Sequence, residues 1–141
     1  MTETTAQIAV ENTVYHFDKL FSYTVPQELC DKVRPGVRVA VPFGAGNRKR
    51  VGVVFSLGKE DGEGLKPISA VLDREEPLTP EFLELARWIK ERYYCTLFEA
   101  VKLMIPSGFH LRLKDSYLLS ADFKDFDREE YSSVGWQIMS R

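Results

Sequence analysis

The sequence predicts an α+β fold: a small, curved, partly barrel-like mixed β-sheet with two helices C-terminal to it. Three observations carry this. Up to about residue 72 the apolar residues come in short β-branched or aromatic runs, each stopped by proline or glycine. From Thr79 onward they fall at helical spacing instead. A chain of 141 residues, 44% hydrophobic and 28% charged, can bury one core and a small appendage but cannot hold a two-domain enzyme.

Ile8, Ala9 and Val10 read as a first strand, and Phe21-Ser22-Tyr23-Thr24-Val25 as a second, stopped by Pro26. Arg34-Pro35-Gly36 is a turn signal. The next run alternates, with Val37, Val39 and Val41 on one face and Arg38 and Ala40 on the other. Gly44-Ala45-Gly46-Asn47 then reads as the turn of a hairpin whose second arm climbs through Val51, Val53, Val54 and Phe55. Residues 59–64 read as a charged, glycine-containing loop, and Pro67 to Leu72 as a further short strand.

Thr79 suits an N-cap, Pro80 the first helical position and Glu81 the first turn. Apolar residues at 82, 85, 86 and 89 make the stripe of an amphipathic helix, extended by Tyr93 and Tyr94, and a second helix runs from Leu97 to Ile105. Trp88, Tyr93 and Tyr94 are expected to pack between helix and sheet rather than to form a binding platform. Residues 1–110 are expected to form one domain. Residues 111–141, with a short strand near Tyr117 and helical spacing at Tyr131, Val134 and Ile138, are expected to be the truncated start of another.

Lysine and arginine total 19 against 21 aspartates and glutamates, a formal charge of −2 that marks no polyanion binder. The sum hides two opposed segments. Between Asp31 and Gly58 six basic side chains face Asp31 alone, a local +5, whereas Asp115 to Glu130 carries six acids and two bases. Cys30 and Cys95 are far apart with no histidine at ligand spacing, which speaks against zinc and against a disulfide framework. No targeting segment and no run near eighteen apolar residues occurs, so a cytoplasmic setting without membrane contact is expected.

Signs of catalysis are thin. There is no GxxxxGK[ST], HExxH or GxSxG pattern, and Gly44-Ala45-Gly46 precedes a basic strand, not a helix. His16 and His110 have no carboxylate or nucleophile set beside them by sequence. A basic hairpin tip, Arg48-Lys49-Arg50, beside glycines that let phosphate approach backbone N–H groups, is a seat for a nucleic-acid strand. Phe21, Tyr23 and Phe43 offer a stacking face. Composition leaves the plainer alternative open, in which the tip only keeps a sheet edge soluble and the aromatics fill the core.

The order of motifs resembles the N-terminal region of the primosomal protein N′ (PriA) family of replication-restart helicases. Carrying the resemblance are residues 21–26, Arg34-Pro35-Gly36 through Pro42-Phe43-Gly44, Val51-Gly52-Val53-Val54, Leu65-Lys66-Pro67, Val71-Leu72-Asp73, Leu85 to Ile89, Tyr93-Tyr94 and Ile105-Pro106-Ser107-Gly108. It implies a 3′-DNA-binding domain that captures the 3′-hydroxyl end of the nascent leading strand at abandoned replication forks, followed by the start of a winged helix. It also implies single-strand-binding protein and other primosome proteins as partners, in a nucleoid-associated setting. ATP, magnesium and zinc sites would belong to a part of the parent protein outside this chain. The fragment itself is expected to need no cofactor and to catalyse nothing.

The resemblance places the terminal-nucleotide pocket at Phe21, Ser22, Tyr23, Gly44 and Lys66, with Arg48, Lys49 and Arg50 as candidates for flanking phosphate contacts. At position 22 the family pattern has aspartate. Serine there replaces a charged acceptor by a neutral hydroxyl, which removes a repulsion toward a terminal phosphate. Asp18, four residues earlier, is a candidate for supplying the missing charge. An alternative reading is a protein-interaction module contacting other helicase lobes or single-strand-binding protein.

Overall fold

The computed structural model describes residues 2–74, 78–106, 112–114 and 116. The expected domain boundary near residue 110, the acidic connector and nearly all of the expected winged-helix segment lie outside the described residues. Five strands, β1 (Thr2–Val10), β2 (Phe21–Thr24), β3 (Arg38–Phe43), β4 (Arg48–Asp61) and β5 (Ala70–Val71), precede two helices, α1 (Pro80–Arg92) and α2 (Leu97–Lys102). The sheet order is β2-β1-β4-β3-β5 and every neighbouring pair is antiparallel. The parallel component of the expected mixed sheet is the isolated bridge between Thr24 and Pro67.

That bridge curves the sheet. The Thr24 N–H donates to Lys66 O and the Ile68 N–H to Thr24 O, both at 3.0 Å, while Ser69 N–H reaches Ala40 O and Leu72 N–H reaches Arg38 O at 2.8 Å. Residues 66–72 therefore leave the edge of β2 and arrive at the edge of β3, wrapping one face of the sheet around Ile8, Val10, Val39, Val41, Val54 and Ile68. The sheet remains open, and this short segment links the backbone of its two edges.

β4 is longer than its sequence suggests. Residues 59–61, expected in a loop, continue the strand because β1 starts at Thr2 and pairs with them, Thr2 with Asp61 and Thr4 with Lys59. Backbone hydrogen bonds hold these charged residues extended whatever their side chains prefer. A register shift between Gln7 and Ile8 leaves Phe55 as the extra residue on β4. Val51, Val53 and Phe55 then face the helices and Val54 the opposite face. Gly52 leaves room for Ile8, since a Cβ there would lie 2.4 Å from Ile8 Cγ2.

α1 begins as expected, with Thr79 at the N-cap and Pro80 in the first turn. Its buried line is Leu83 and Ala86, with Ile89 partly covered, and not 82 and 85; Phe82 and Leu85 are exposed. The helix stops at Arg92, where Tyr93 turns to an extended conformation. Trp88, Tyr93 and Tyr94 are 54%, 59% and 94% exposed, so the expectation that they fill the core is overturned. The one-sided docking of α1 through Leu83 and Ala86 turns Trp88 outward, and the chain reversal at Tyr93 does the same for its neighbour. α2 ends three residues short of the expected Ile105, in turns. It starts in a capping box: Glu99 N–H donates to Thr96 Oγ1 at 3.2 Å and Thr96 N–H to Glu99 Oε2 at 2.7 Å.

Candidate nucleic-acid groove

Where residues 66–72 cross from β2 toward β3, a groove of about 480 Å³ opens between residues 19–23, 42–44 and 64–66. It brings together all five residues of the expected pocket, Phe21, Ser22, Tyr23, Gly44 and Lys66. Each segment is there for a local reason. β2 supplies the first wall, the end of β3 with its hairpin turn supplies the second, and the edge-crossing segment supplies the third. Gly44 opens the turn at φ +70°, a left-handed conformation that glycine adopts without cost. No atom lies within 4 Å of where its Cβ would be, so the requirement is conformational and the groove floor there stays accessible.

The aromatic residues divide into two roles. Tyr23 is only 4% exposed, and its hydroxyl donates to Pro42 O at 3.1 Å. Its ring is therefore a fixed wall between β2 and β3 and not a free platform. Burial pushes the Tyr23 hydroxyl above its ordinary pKa of 10.0, and the nearby Arg50 guanidinium opposes part of the rise. Phe21 and Phe43 are half-buried and meet edge to face, with centroids 5.1 Å apart at 89°. Lys19 Nζ lies 5.6 Å from the Phe21 centroid, and Arg50 Cζ lies 4.5 Å from that of Phe43. These two rings, each flanked by a cation, are the surfaces a nucleobase can reach.

The polar groups are equally specific. Lys66 Nζ donates to Gly44 O at 2.7 Å, which leaves two of its three N–H donors for a ligand. Ser22 Oγ accepts from Gln7 Nε2 at 2.8 Å across the β1–β2 ladder, where the two residues are directly paired. Lys19, Leu65 and Gln7 were not singled out by sequence. Alternation along β2 pairs Lys19 with Phe21 and could have flagged the first, whereas Gln7 emerges only from strand register.

Asp18 and the basic triplet lie outside the residues that line the groove. Asp18 accepts from Thr13 Oγ1 at 3.2 Å and from the backbone N–H of Leu97 at 2.8 Å, and pairs with Lys90 Nζ at 2.6 Å, with a side chain 2% exposed. Its charge thus sits on the first turn of α2, where the orphan N–H groups and the helix dipole favour it. The basic triplet is divided between the two faces of β4. In the β3–β4 register Arg50 stands opposite Val41 and Arg48 opposite Phe43, while Lys49 pairs with Pro42 and points to the other face, beside Ala40 and Ser69. Arg50 is further held by hydrogen bonds from Nη1 to Glu11 O at 3.3 Å and Asn12 O at 3.1 Å.

Among the described residues no group of three or more His, Cys, Asp or Glu side chains is gathered as a metal site. No helix among them is long and apolar enough to cross a membrane.

The sequence also places the chain among known proteins. Residues 7–106 match the family model described as the PriA 3′DNA-binding domain (3′BD). The chain is similar to the replication restart protein PriA of Bacillus subtilis (strain 168), at 29% identity over 106 residues, covering 73% of this chain and 13% of that protein. For the PriA protein of Treponema pallidum (strain Nichols) the identity is 32% over 117 residues, covering 78% of this chain and 18% of the relative. For the probable replication restart protein PriA of Mycobacterium tuberculosis (strain ATCC 25618 / H37Rv) it is 33% over 103 residues, covering 72% and 15%. The chain thus spans less than a fifth of the length of these relatives. With the groove, its hairpin and both helices inside the matched region, the chain belongs to the PriA 3′-DNA-binding-domain family.

Proposed function

We propose that the chain binds DNA in replication restart, holding the 3′ end of a single strand in the groove between β2, the Gly44 turn and Lys66. The supporting observation is the convergence of two half-buried phenylalanines, each beside a cation, with a lysine whose free N–H groups face the same space. Phe21 or Phe43 stacks on the terminal base, which every base permits, and Lys66 and Lys19 hold the sugar-phosphate. Such contacts read no sequence, as a protein acting at abandoned forks anywhere in a chromosome requires. The end bound at a fork would be that of the nascent leading strand. Helicase activity, with its ATP, magnesium and zinc, would belong to the remaining length of the parent protein, and this chain contributes recognition without a chemical step in a cytoplasmic, nucleoid-associated assembly. The test is the affinity of the chain for a linear oligothymidine against a circular one of equal length. Linear binding at least tenfold tighter supports end capture, and equal affinities overturn it.

A second reading rests on a different surface. Phe82, Leu85 and Trp88 are exposed on α1, and Trp88 meets Tyr93 edge to face at 6.3 Å. This face suits contacts with other lobes of the parent helicase or with single-strand-binding protein. Trp88→Ala separates the readings, because it should leave DNA affinity unchanged while weakening a protein contact.

A further inference from the structure

The charge inside the groove points to the kind of end it takes. Among the described residues, those that line it include two ammonium groups, Lys19 and Lys66, and no carboxylate. The acids adjacent in sequence do not change this. Asp18 is turned away and neutralised by Lys90 and the start of α2. Glu63 is exposed and does not line the groove. At the centre of the β2 wall stands Ser22, a neutral hydroxyl already accepting from Gln7. Arg50 adds a third positive charge beside Phe43 and close enough to Tyr23 to oppose the rise in its pKa. A 3′-hydroxyl end presents one neutral group to this field, whereas a 3′-phosphate presents an additional dianionic group with three acceptor oxygens.

We propose that the groove accepts a strand ending in 3′-phosphate at least as tightly as one ending in 3′-hydroxyl, so that phosphate-blocked ends are ligands of this protein and not excluded from it. The inference rests on the end-capture reading above. Lys66 has two N–H donors to spare after its bond to Gly44 O, and Lys19 holds its ammonium over the Phe21 ring, so a terminal phosphate on a base stacked there meets both. Among the described residues no negative charge in the lining opposes it.

The experiment compares three matched oligothymidines by fluorescence anisotropy at low salt: linear with a 3′-hydroxyl, linear with a 3′-phosphate, and circular. The expected order is 3′-phosphate tighter than 3′-hydroxyl by roughly threefold to tenfold, the scale of one or two exposed charge pairs, and circular weakest. Ser22→Asp should invert the order of the two linear strands, while Ser22→Ala, which keeps the site neutral, should preserve it. If Ser22→Asp fails to fold, Lys19→Ala supplies the same information by shrinking the phosphate preference. Tighter binding of the 3′-hydroxyl strand by the unaltered chain, with the circle still weakest, overturns the phosphate inference and leaves end capture standing. Equal binding of all three overturns both.

Discussion

Lys66 Nζ donates a 2.7 Å hydrogen bond to the carbonyl of Gly44, joining two groove residues that lie 22 positions apart. The contact exists because Thr24 exchanges backbone hydrogen bonds with Lys66 and Ile68, which fixes residue 66 beside β2 and opposite the hairpin turn. Lys66 is half-buried, but its ammonium group bonds at the surface, so its replacement has little to disturb in the core. Lys66→Ala should weaken binding to a 3′-ended single strand roughly tenfold, about 1.4 kcal/mol, with thermal stability changed by less than about 0.5 kcal/mol. Anisotropy titration and a circular-dichroism melt check the two halves; a large drop in melting temperature would assign Lys66 a structural role instead.

Phe43 and Tyr23 should behave differently despite both lining the groove. Phe43→Ala is expected to lose about 1–3 kcal/mol of single-strand affinity, the value of one stacked base, irrespective of which base is terminal. Tyr23→Ala removes a buried ring from the valine-rich core and should cost about 3–5 kcal/mol of folding stability before any effect on affinity is read. Urea unfolding alongside titration distinguishes the two.

Tyr23 also predicts an alkaline signature. Burial raises its pKa above 10.0, so the folded state holds the phenolic proton longer than the unfolded chain does. The stabilisation is fully present below pH 10, where both states are protonated, and is lost as pH rises through the raised folded value. Tyr23→Phe has no such proton, so its stability should fall less steeply than that of the unaltered chain above pH 10. Parallel unfolding curves at pH 9 and above provide the check, and identical slopes would reject the assignment.

The two faces of β4 separate the basic triplet. Arg48 stands opposite Phe43, whereas Lys49 points to the other face of the strand. Arg48→Ala should flatten the dependence of log affinity on log salt by roughly 0.7, the share of one single-strand phosphate, and Lys49→Ala should leave the slope unchanged. Equal effects from both would show that the strand wraps the hairpin tip.

Asp18→Asn tests whether that carboxylate belongs to the fold. Loss of the 2.6 Å pair with Lys90, and of the negative charge at the α2 N-terminus, should cost about 1–3 kcal/mol of stability. The folded variant should bind single strands with unchanged affinity and unchanged preference between end groups. A shift in that preference would return Asp18 to the groove.

Much of this protein is legible in its residue order. Runs such as Val37 to Val41, the glycine-rich turn before Arg48 and the proline at the head of α1 are local signals, because alternation, turn conformation and capping act over a few residues. Even the capping box at Thr96 and Glu99 was present to be found. The groove residues, and serine at position 22 as a departure, are named by the resemblance and not by the residue pattern. What only the tertiary structure decided depends on which segments pair across long separations. The β1–β4 ladder turned residues 59–61 from loop to strand, and the β1–β2 register set Gln7 on Ser22. Packing chose Leu83 and Ala86 as the seat of α1 and left Trp88 outside. The backbone exchange at Thr24 carried Lys66 to Gly44, and the fit of α2 against the loop before β2 holds Asp18 at the start of that helix. Local patterns determine the pieces, but the charge a ligand meets is set by which pieces touch, and those contacts are non-local.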